Sequence, residues 1–433
     1  MRRLAPAIAL LLVVLAVAPA RAQSGAVSRT RLPNGLTVLV RENPSSPVVA
    51  ISLMVKMGTR WETAEDAGIS NLLQLMVVRG TTTRNGSQIV EAADAMGGSI
   101  EATGDVDFSE IAATALSRFW VELLELVADV SLHPTIPDGV VGAVRDFLLR
   151  QIRNRAERPY DVALDTLTAR IFGRNPYAWD PIGLKESLER IDRNALVAHY
   201  KRHYVPGGLV LAVSGRVKTA EVVAQATRLF GQMRAGPLPV ASPPAPPAPA
   251  AWRETRVVPG AQAQILMGAL APALTDPDYP PVKVLGAVLG GGMAGRFFSE
   301  LRDKEGLAYT TGTQYPAHVD PSYFLALLGT APQNVAKAEG ALNAQLDRAR
   351  RERVTDDELR VGKAYLVGNL EMDRRTNARQ AWYLASYEVT GVGYEFLDRY
   401  VTAVRAVTAA DVQRVAQRYL AVVRTVIVQP TPP

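Results

Sequence analysis

The stretch Gly68-Ile69-Ser70-Asn71-Leu72-Leu73-Gln74-Leu75-Met76-Val77-Val78-Arg79-Gly80-Thr81 is read as a helix over residues 68–79. Helical neighbours lie three and four residues apart, so Asn71, Gln74 and Leu75 share one face. That face offers two neutral amides and an aliphatic side chain. Zinc needs thiolate, imidazole or carboxylate donors to replace its water shell, and none stands there. The same face lacks any group able to act as general base.

Outward from this helix, residues 32–40 (Leu-Pro-Asn-Gly-Leu-Thr-Val-Leu-Val) predict an Asn-Gly turn between extended segments. Residues 112–116 and 209–214 read as strands, and residues 121–132, 139–156 and 335–351 as helices by apolar spacing. Strands and helices intermixed, with hairpin signals, predict an α+β sandwich with helices on one side of the sheet. Seven prolines fall within residues 237–249. They predict a semi-rigid spacer over 237–251 that separates domains at 26–236 and 252–429. The halves resemble each other at an offset of about 215 residues, as in the apolar runs 209–213 and 422–428. Likewise Ile51-Ser52-Leu53-Met54-Val55 parallels Ile265-Leu266-Met267-Gly268-Ala269. A repeat of this size implies duplication of one domain.

Residues 1–22 of the 433 read as a cleavable secretory signal: Arg2 and Arg3, an apolar run over 4–19, then Ala20-Arg21-Ala22 before Gln23. A retained membrane anchor is the alternative for this segment. Cleavage near Ala22-Gln23 places the mature chain in the periplasm or outside the cell, with no membrane attachment. The chain has no Cys, so no disulfide framework or lipidation thiol exists. The formal charge of +6 falls to +3 without the three leader arginines, and a near-balanced chain has no electrostatic basis for nucleic-acid binding. Four histidines remain as candidates for another metal site. His133 precedes a proline, His318 stands alone, and His199 and His203 form an i, i+4 pair expected on a solvated helix surface.

Several further segments carry a family likeness through their order and spacing. They are residues 32–36, the turn at 58–62, residues 68–81, Asn175-Pro176-Tyr177, Gly183, His203-Tyr204 and Val213-Ser214-Gly215. The second half adds Gly290-Gly291-Gly292 and Leu301-Arg302-Asp303-Lys304-Glu305-Gly306-Leu307-Ala308-Tyr309. Together they resemble the M16 (pitrilysin or insulinase) metallopeptidases, in their smaller two-domain, processing-peptidase-like form. The resemblance implies two homologous α/β sandwich domains of the LuxS/metallohydrolase-like type, arranged as a clamshell around a peptide chamber.

It also assigns positions. In the family the first stretch carries H-x-x-E-H, whose ligand histidines match Asn71 and Leu75 and whose glutamate matches Gln74. The third ligand matches Gln151, and seven residues earlier Val144 stands where active members tend to carry an acid. The resemblance therefore implies no zinc in this chain. Arg302 and Tyr309 match the family's R-x6-Y pair, which binds substrate and donates to the oxyanion. Without the resemblance, Arg302 reads as a helix end paired to Asp303 and Glu305, and Tyr309 as a strand start. Gly290, Gly291 and Gly292 match a flexible loop at the chamber entrance. Glu101 replaces an asparagine on the strand that pairs with substrate in relatives.

Loss at the metal site with retention of Arg302 and Tyr309 implies a non-catalytic subunit of a heteromeric zinc peptidase. Its partner would be a separate H-x-x-E-H chain holding the zinc, and its substrate a peptide or unfolded polypeptide. The competing expectation is a structural or peptide-binding protein with no protease role. A free-standing metalloprotease would need ligands that this sequence does not carry.

Overall fold

The structure, a computed structural model, describes residues 25–430; the signal reading of residues 1–22 lies outside them. The first half begins with β1 (Val27–Arg31), β2 (Thr37–Glu42), β3 (Val48–Val55), α1 (Ile69–Val77), α2 (Gly86–Ala95), β4 (Ser99–Gly104) and β5 (Ser109–Leu116). It continues with α3 (Trp120–Leu132), α4 (Asp138–Ala156), α5 (Pro159–Phe172), α6 (Lys185–Leu188), α7 (Arg193–His203), β6 (Leu209–Gly215) and α8 (Thr219–Phe230). Residues 233–251, which include the proline run, form neither helix nor strand.

The second half begins with β7 (Trp252–Val258), β8 (Ala263–Ala271), α9 (Tyr279–Gly290), a π-helix (Phe297–Lys304), β9 (Thr310–Gln314) and β10 (Ser322–Thr330). It closes with α10 (Val335–Arg351), α11 (Asp356–Asp373), α12 (Asn377–Val389), α13 (Phe396–Ala406), α14 (Ala409–Tyr419) and β11 (Arg424–Pro430).

Two sheets form, in the orders β1-β2-β6-β3-β5-β4 and β7-β11-β8-β10-β9. From β2 onward the first order repeats in the second. In each sheet the final strand pairs parallel to its outer neighbour, β6 to β2 and β11 to β7, and antiparallel to β3 or β8. The sequence repeat is thus a repeat of topology.

One face of each sheet carries its own half's helices. Leu72, Leu73 and Met76 of α1 and Leu123 and Val127 of α3 pack with Val38, Val40, Ile51 and Leu53. In the second half Val282 and Leu285 of α9 and Leu342 and Leu346 of α10 do the same against Ile265 and Met267. The expectation of helices on one side of the sheet describes half of this arrangement. The opposite faces are covered reciprocally: α5 of the first half lies on β8 and β11, and α12 of the second lies on β3 and β6. Ala163, Leu167, Ile171 and Phe172 of α5 meet Leu266, Leu325, Val426 and Val428. Ala381, Leu384, Ala385 and Val389 of α12 meet Leu39, Met54, Val210 and Ala212. Full burial of a side chain such as Leu167 or Phe172 contributes about 1.5–3 kcal/mol, so the halves meet through packed apolar surface.

Polar bonds lock the same seam. Asn377, at the start of α12, is buried and makes four side-chain hydrogen bonds into the first half. Arg60 forms a bidentate pair with Asp320 at 2.6 and 3.1 Å.

Candidate functional site

Gly68 begins α1 with a left-handed φ of 92° and lies against Gly183, where an added Cβ would come within 2.8 Å of the Gly183 Cα. No side chain fits there. The helix start is held instead by Glu62, whose buried carboxylate accepts from the N–H groups of Gly68 and Ser70, each at 2.9 Å. Burial pushes the Glu62 carboxyl up to about 7, and those two N–H bonds pull it the other way.

The Ser70 hydroxyl continues this network to His199 Nε2 at 3.1 Å, and the His199 ring lies 4.3 Å from that of His203. His203 Nδ1 stands 2.9 Å from the Lys56 carbonyl oxygen, which fixes Nδ1 as the protonated donor. Nε2 is buried without a partner among the described residues. The two histidines are 7% and 0% exposed, so the expectation of a solvated pair is corrected. The face of α7 that carries them packs toward α1, a contact no local pattern reveals.

Burial lowers His199 well below its ordinary value and His203 to about 4. A histidine depressed in the folded state contributes stability that is present above pH 6.5 and lost as pH falls toward 4. His203→Gln should therefore make the acid-side loss of stability shallower by about 2 kcal/mol, read from urea unfolding midpoints at pH 7 and pH 4.5. An unchanged slope would show that His203 does not carry it.

The family-matched metal positions are brought together only in part. Asn71 Oδ1 accepts from the Gly104 N–H at 3.3 Å, where β4 crosses α1. Gln74 is fully buried; its Nε2 donates to the Glu110 carbonyl at 2.8 Å and its Oε1 accepts from the Tyr204 hydroxyl at 2.9 Å. It therefore turns into the core and bonds neither Asn71 nor Gln151. Leu75 is half-buried against the first core, and Val144 is buried within it.

Asn71 and Gln151 together line a cleft of about 380 Å³ with Gly104, Asn154, Arg155, Arg158 and Asp180. The cleft's central cation is Arg155, paired with Asp165 at 2.5 Å, Asp180 at 3.2 Å and Asp161 at 3.7 Å. Among the described residues no group of three His, Cys, Asp or Glu side chains could hold a metal ion. Two amides beside a guanidinium do not fit zinc.

The second half presents Arg302 and Tyr309 elsewhere. Arg302 is exposed on the π-helix, its guanidinium 4.8 Å from the Phe298 ring centre, with no ion pair to Asp303 or Glu305. Tyr309 is 56% exposed immediately before β9, the edge strand of the second sheet, and its N–H bonds the Gly329 carbonyl. Neither lines the cleft holding Asn71 and Gln151, whose walls come from the first half alone.

The loop upstream is tightly packed at its start. A Cβ at Gly290 would meet the Thr313 backbone nitrogen at 2.5 Å, so this glycine lets α9 approach β9. Glu101 is exposed on β4, the edge strand of the first sheet.

Sequence reasoning missed a polar cluster at the seam. Tyr177 donates to Asp107 at 2.5 Å, Asp107 accepts from the Val319 N–H at 3.0 Å, and His318 lies 3.4 Å from Asp107. His318 is thus no solitary residue, and its ring lies 4.6 Å from that of Tyr177. His133 ends α3 half-exposed, 3.6 Å from Asp129. The only forewarning was the Asn175-Pro176-Tyr177 segment.

The family model for insulinase (peptidase family M16) matches residues 37–180, and that for the peptidase M16 inactive domain matches residues 190–366. The chain belongs to the M16 peptidase family. An uncharacterized zinc protease of Rickettsia felis is 26% identical to this M16 chain over 381 residues, covering 86% of it and 88% of the relative. One from Mycobacterium leprae is 27% identical over 410 residues, covering 92% and 90%. Among solved structures, a Helicobacter pylori protease matches with a TM-score of 0.88 at 20% identity, over 94% of this chain and 100% of that one. A peptidase M16 inactive domain from Pseudomonas fluorescens matches at 0.86 and 22% identity, over 94% and 98%. These likenesses establish the two-domain α+β fold.

Proposed function

We propose that this chain is the non-catalytic subunit of a periplasmic or secreted heteromeric M16 zinc peptidase. It contributes Arg302 and Tyr309 to an active site whose zinc and general base sit on a partner carrying H-x-x-E-H. The observation that carries this reading is the asymmetry between the two halves. At the matched metal positions Asn71 and Gln74 are hydrogen-bonded into the scaffold and Leu75 packs on the core, whereas Arg302 and Tyr309 stand exposed, with no ion pair or side-chain hydrogen bond among the described residues. Because they do not line their own chain's cleft, a second surface is needed to bring them to a scissile bond.

The roles follow from their chemistry. The Arg302 fork of donors holds a substrate carbonyl and orients the peptide. The Tyr309 hydroxyl donates to the oxygen that gains charge as water attacks the peptide carbonyl.

The test mixes the purified chain with the H-x-x-E-H partner and follows cleavage of a fluorogenic peptide. Tyr309→Phe should lower kcat about 10²-fold, the effect of removing one oxyanion donor, and Arg302→Ala should raise KM. Cleavage unchanged in both variants would refute the shared site and leave the structural or peptide-binding role.

A further inference from the structure

Two arginines from opposite halves line the same pair of cavities at the start of α12. Arg41 lies two residues beyond Leu39 on β2, hence on the same strand face, the face that α12 covers. Arg374 ends α11, in the short turn that delivers α12 to that face. The Arg41 guanidinium has no hydrogen bond or ion pair among the described residues, and burial, with a smaller contribution from the charge of Arg374, lowers its pKa. Arg374 makes one long contact, 3.7 Å to the exposed Glu371, while its Nε is buried without a partner. Two adjoining cavities, of about 250 and 930 Å³, share both arginines and Gln380 in their walls.

Two of the surrounding acids are committed elsewhere. Glu42 is bonded to the Thr219 N–H and hydroxyl at 2.9 and 2.8 Å. Asp373 holds Arg379 and Tyr383 at 2.6 Å each. Glu395 and Asp398 line the smaller cavity beside Tyr383, Tyr394 and Leu397.

We propose that the Arg41–Arg374 pair is a binding site for a peptide carboxylate. Guanidinium and carboxylate match as planar forks, and one negative charge relieves the repulsion that the seam otherwise maintains. Glu395 and Asp398 disfavour a dianion such as phosphate and leave room for a singly charged group with apolar atoms attached. The carboxylate comes either from a peptide C-terminus or from an acidic side chain.

The test is calorimetric titration of the full mature chain, at fixed ionic strength, with three blocked dipeptides. Acetyl-Ala-Ala as the free acid presents a terminal carboxylate, and acetyl-Ala-Glu-amide presents a side-chain one. Acetyl-Ala-Ala-amide presents none. At least one acid should bind with Kd on the order of 1 mM, and the amide should not. Arg41→Gln and Arg374→Gln should each weaken binding at least tenfold. Arg41→Lys, which keeps the charge and loses the fork, should weaken it less.

Unfolding without peptide supplies an independent reading, because removing one of two repelling cations should leave Tm unchanged or raise it. If Arg41→Gln does not fold, Arg374→Gln in the more exposed turn carries the test. Binding of the amide as tightly as the acids, failure of both acids to bind, or full binding by the folded variants would overturn the proposal.

Discussion

Arg155→Ala should destabilise the protein by about 3 kcal/mol, at the low end of what breaking a buried ion pair costs. Arg155 lies near the end of α4 with its side chain 17% exposed, and it is the common partner of Asp161, Asp165 and Asp180. Its removal leaves three carboxylates close together with only Arg158, at 2.9 Å from Asp161, to offset them. The figure stays at the low end because Asp165 and Asp180 keep access to water. Partial burial nonetheless raises the Asp165 carboxyl above its ordinary value, so lowering the pH protonates it more readily and relieves the repulsion. The difference between wild type and variant should therefore narrow from pH 7 to pH 4. Urea unfolding at the two pH values measures both effects, and a loss below about 1 kcal/mol at pH 7 would show that the cluster does not depend on Arg155.

Asn377→Ala should cost a comparable amount, about 3 kcal/mol, by leaving several buried partners unbonded. Asn377 Oδ1 accepts from Asn43 Nδ2 and Ser214 Oγ, each at 3.1 Å. Its Nδ2 donates to Ser46 Oγ at 2.9 Å and to the Val48 carbonyl at 2.8 Å. One amide thus satisfies donors and acceptors on three parts of the first half. Asn377→Asp separates bonding from shape: it keeps the acceptor and sets a carboxylate oxygen against the Val48 carbonyl. It should be at least as destabilising at pH 7 and should recover partly at pH 4, where a protonated oxygen donates again. If both variants unfold at the wild-type urea midpoint, the amide does not hold the seam.

Much of the local structure was legible. The predicted helices 121–132, 139–156 and 335–351 match α3, α4 and α10 to within a residue at each end. The strands predicted at 112–116 and 209–214 lie inside β5 and β6, and the Asn-Gly turn joins β1 to β2. These features depend on periodicity, turn chemistry and end signals, which act over a few residues. The repeat offset was legible for the same reason, since both copies carry the same continuous apolar strand runs, buried on both faces.

The candidate site was legible as residue types and not as directions. Asn71, Gln74 and Leu75 do lie on one helix, yet Gln74 turns inward because Tyr204, far along the chain, offers it a hydroxyl. His199 and His203 read as solvated because Lys201 and Arg202 between them are charged, whereas α7 sets its two histidines against α1 and the Lys56 carbonyl. Arg155 gave no signal at all, since its three acids converge only when α4, α5 and the loop after Trp179 meet.

By itself, then, the sequence determined the family, the two duplicated α+β halves and the lack of strong metal donors at Asn71, Gln74 and Leu75. Those are properties of residue type and local spacing. Only the tertiary structure decided that α5 and α12 cross to the opposite sheets, that Arg155 is the cleft's central cation, and that Arg41 and Arg374 line the same cavities. Each of these depends on contacts between distant segments, and their geometry is set by which apolar faces remain to be covered once the local elements have formed.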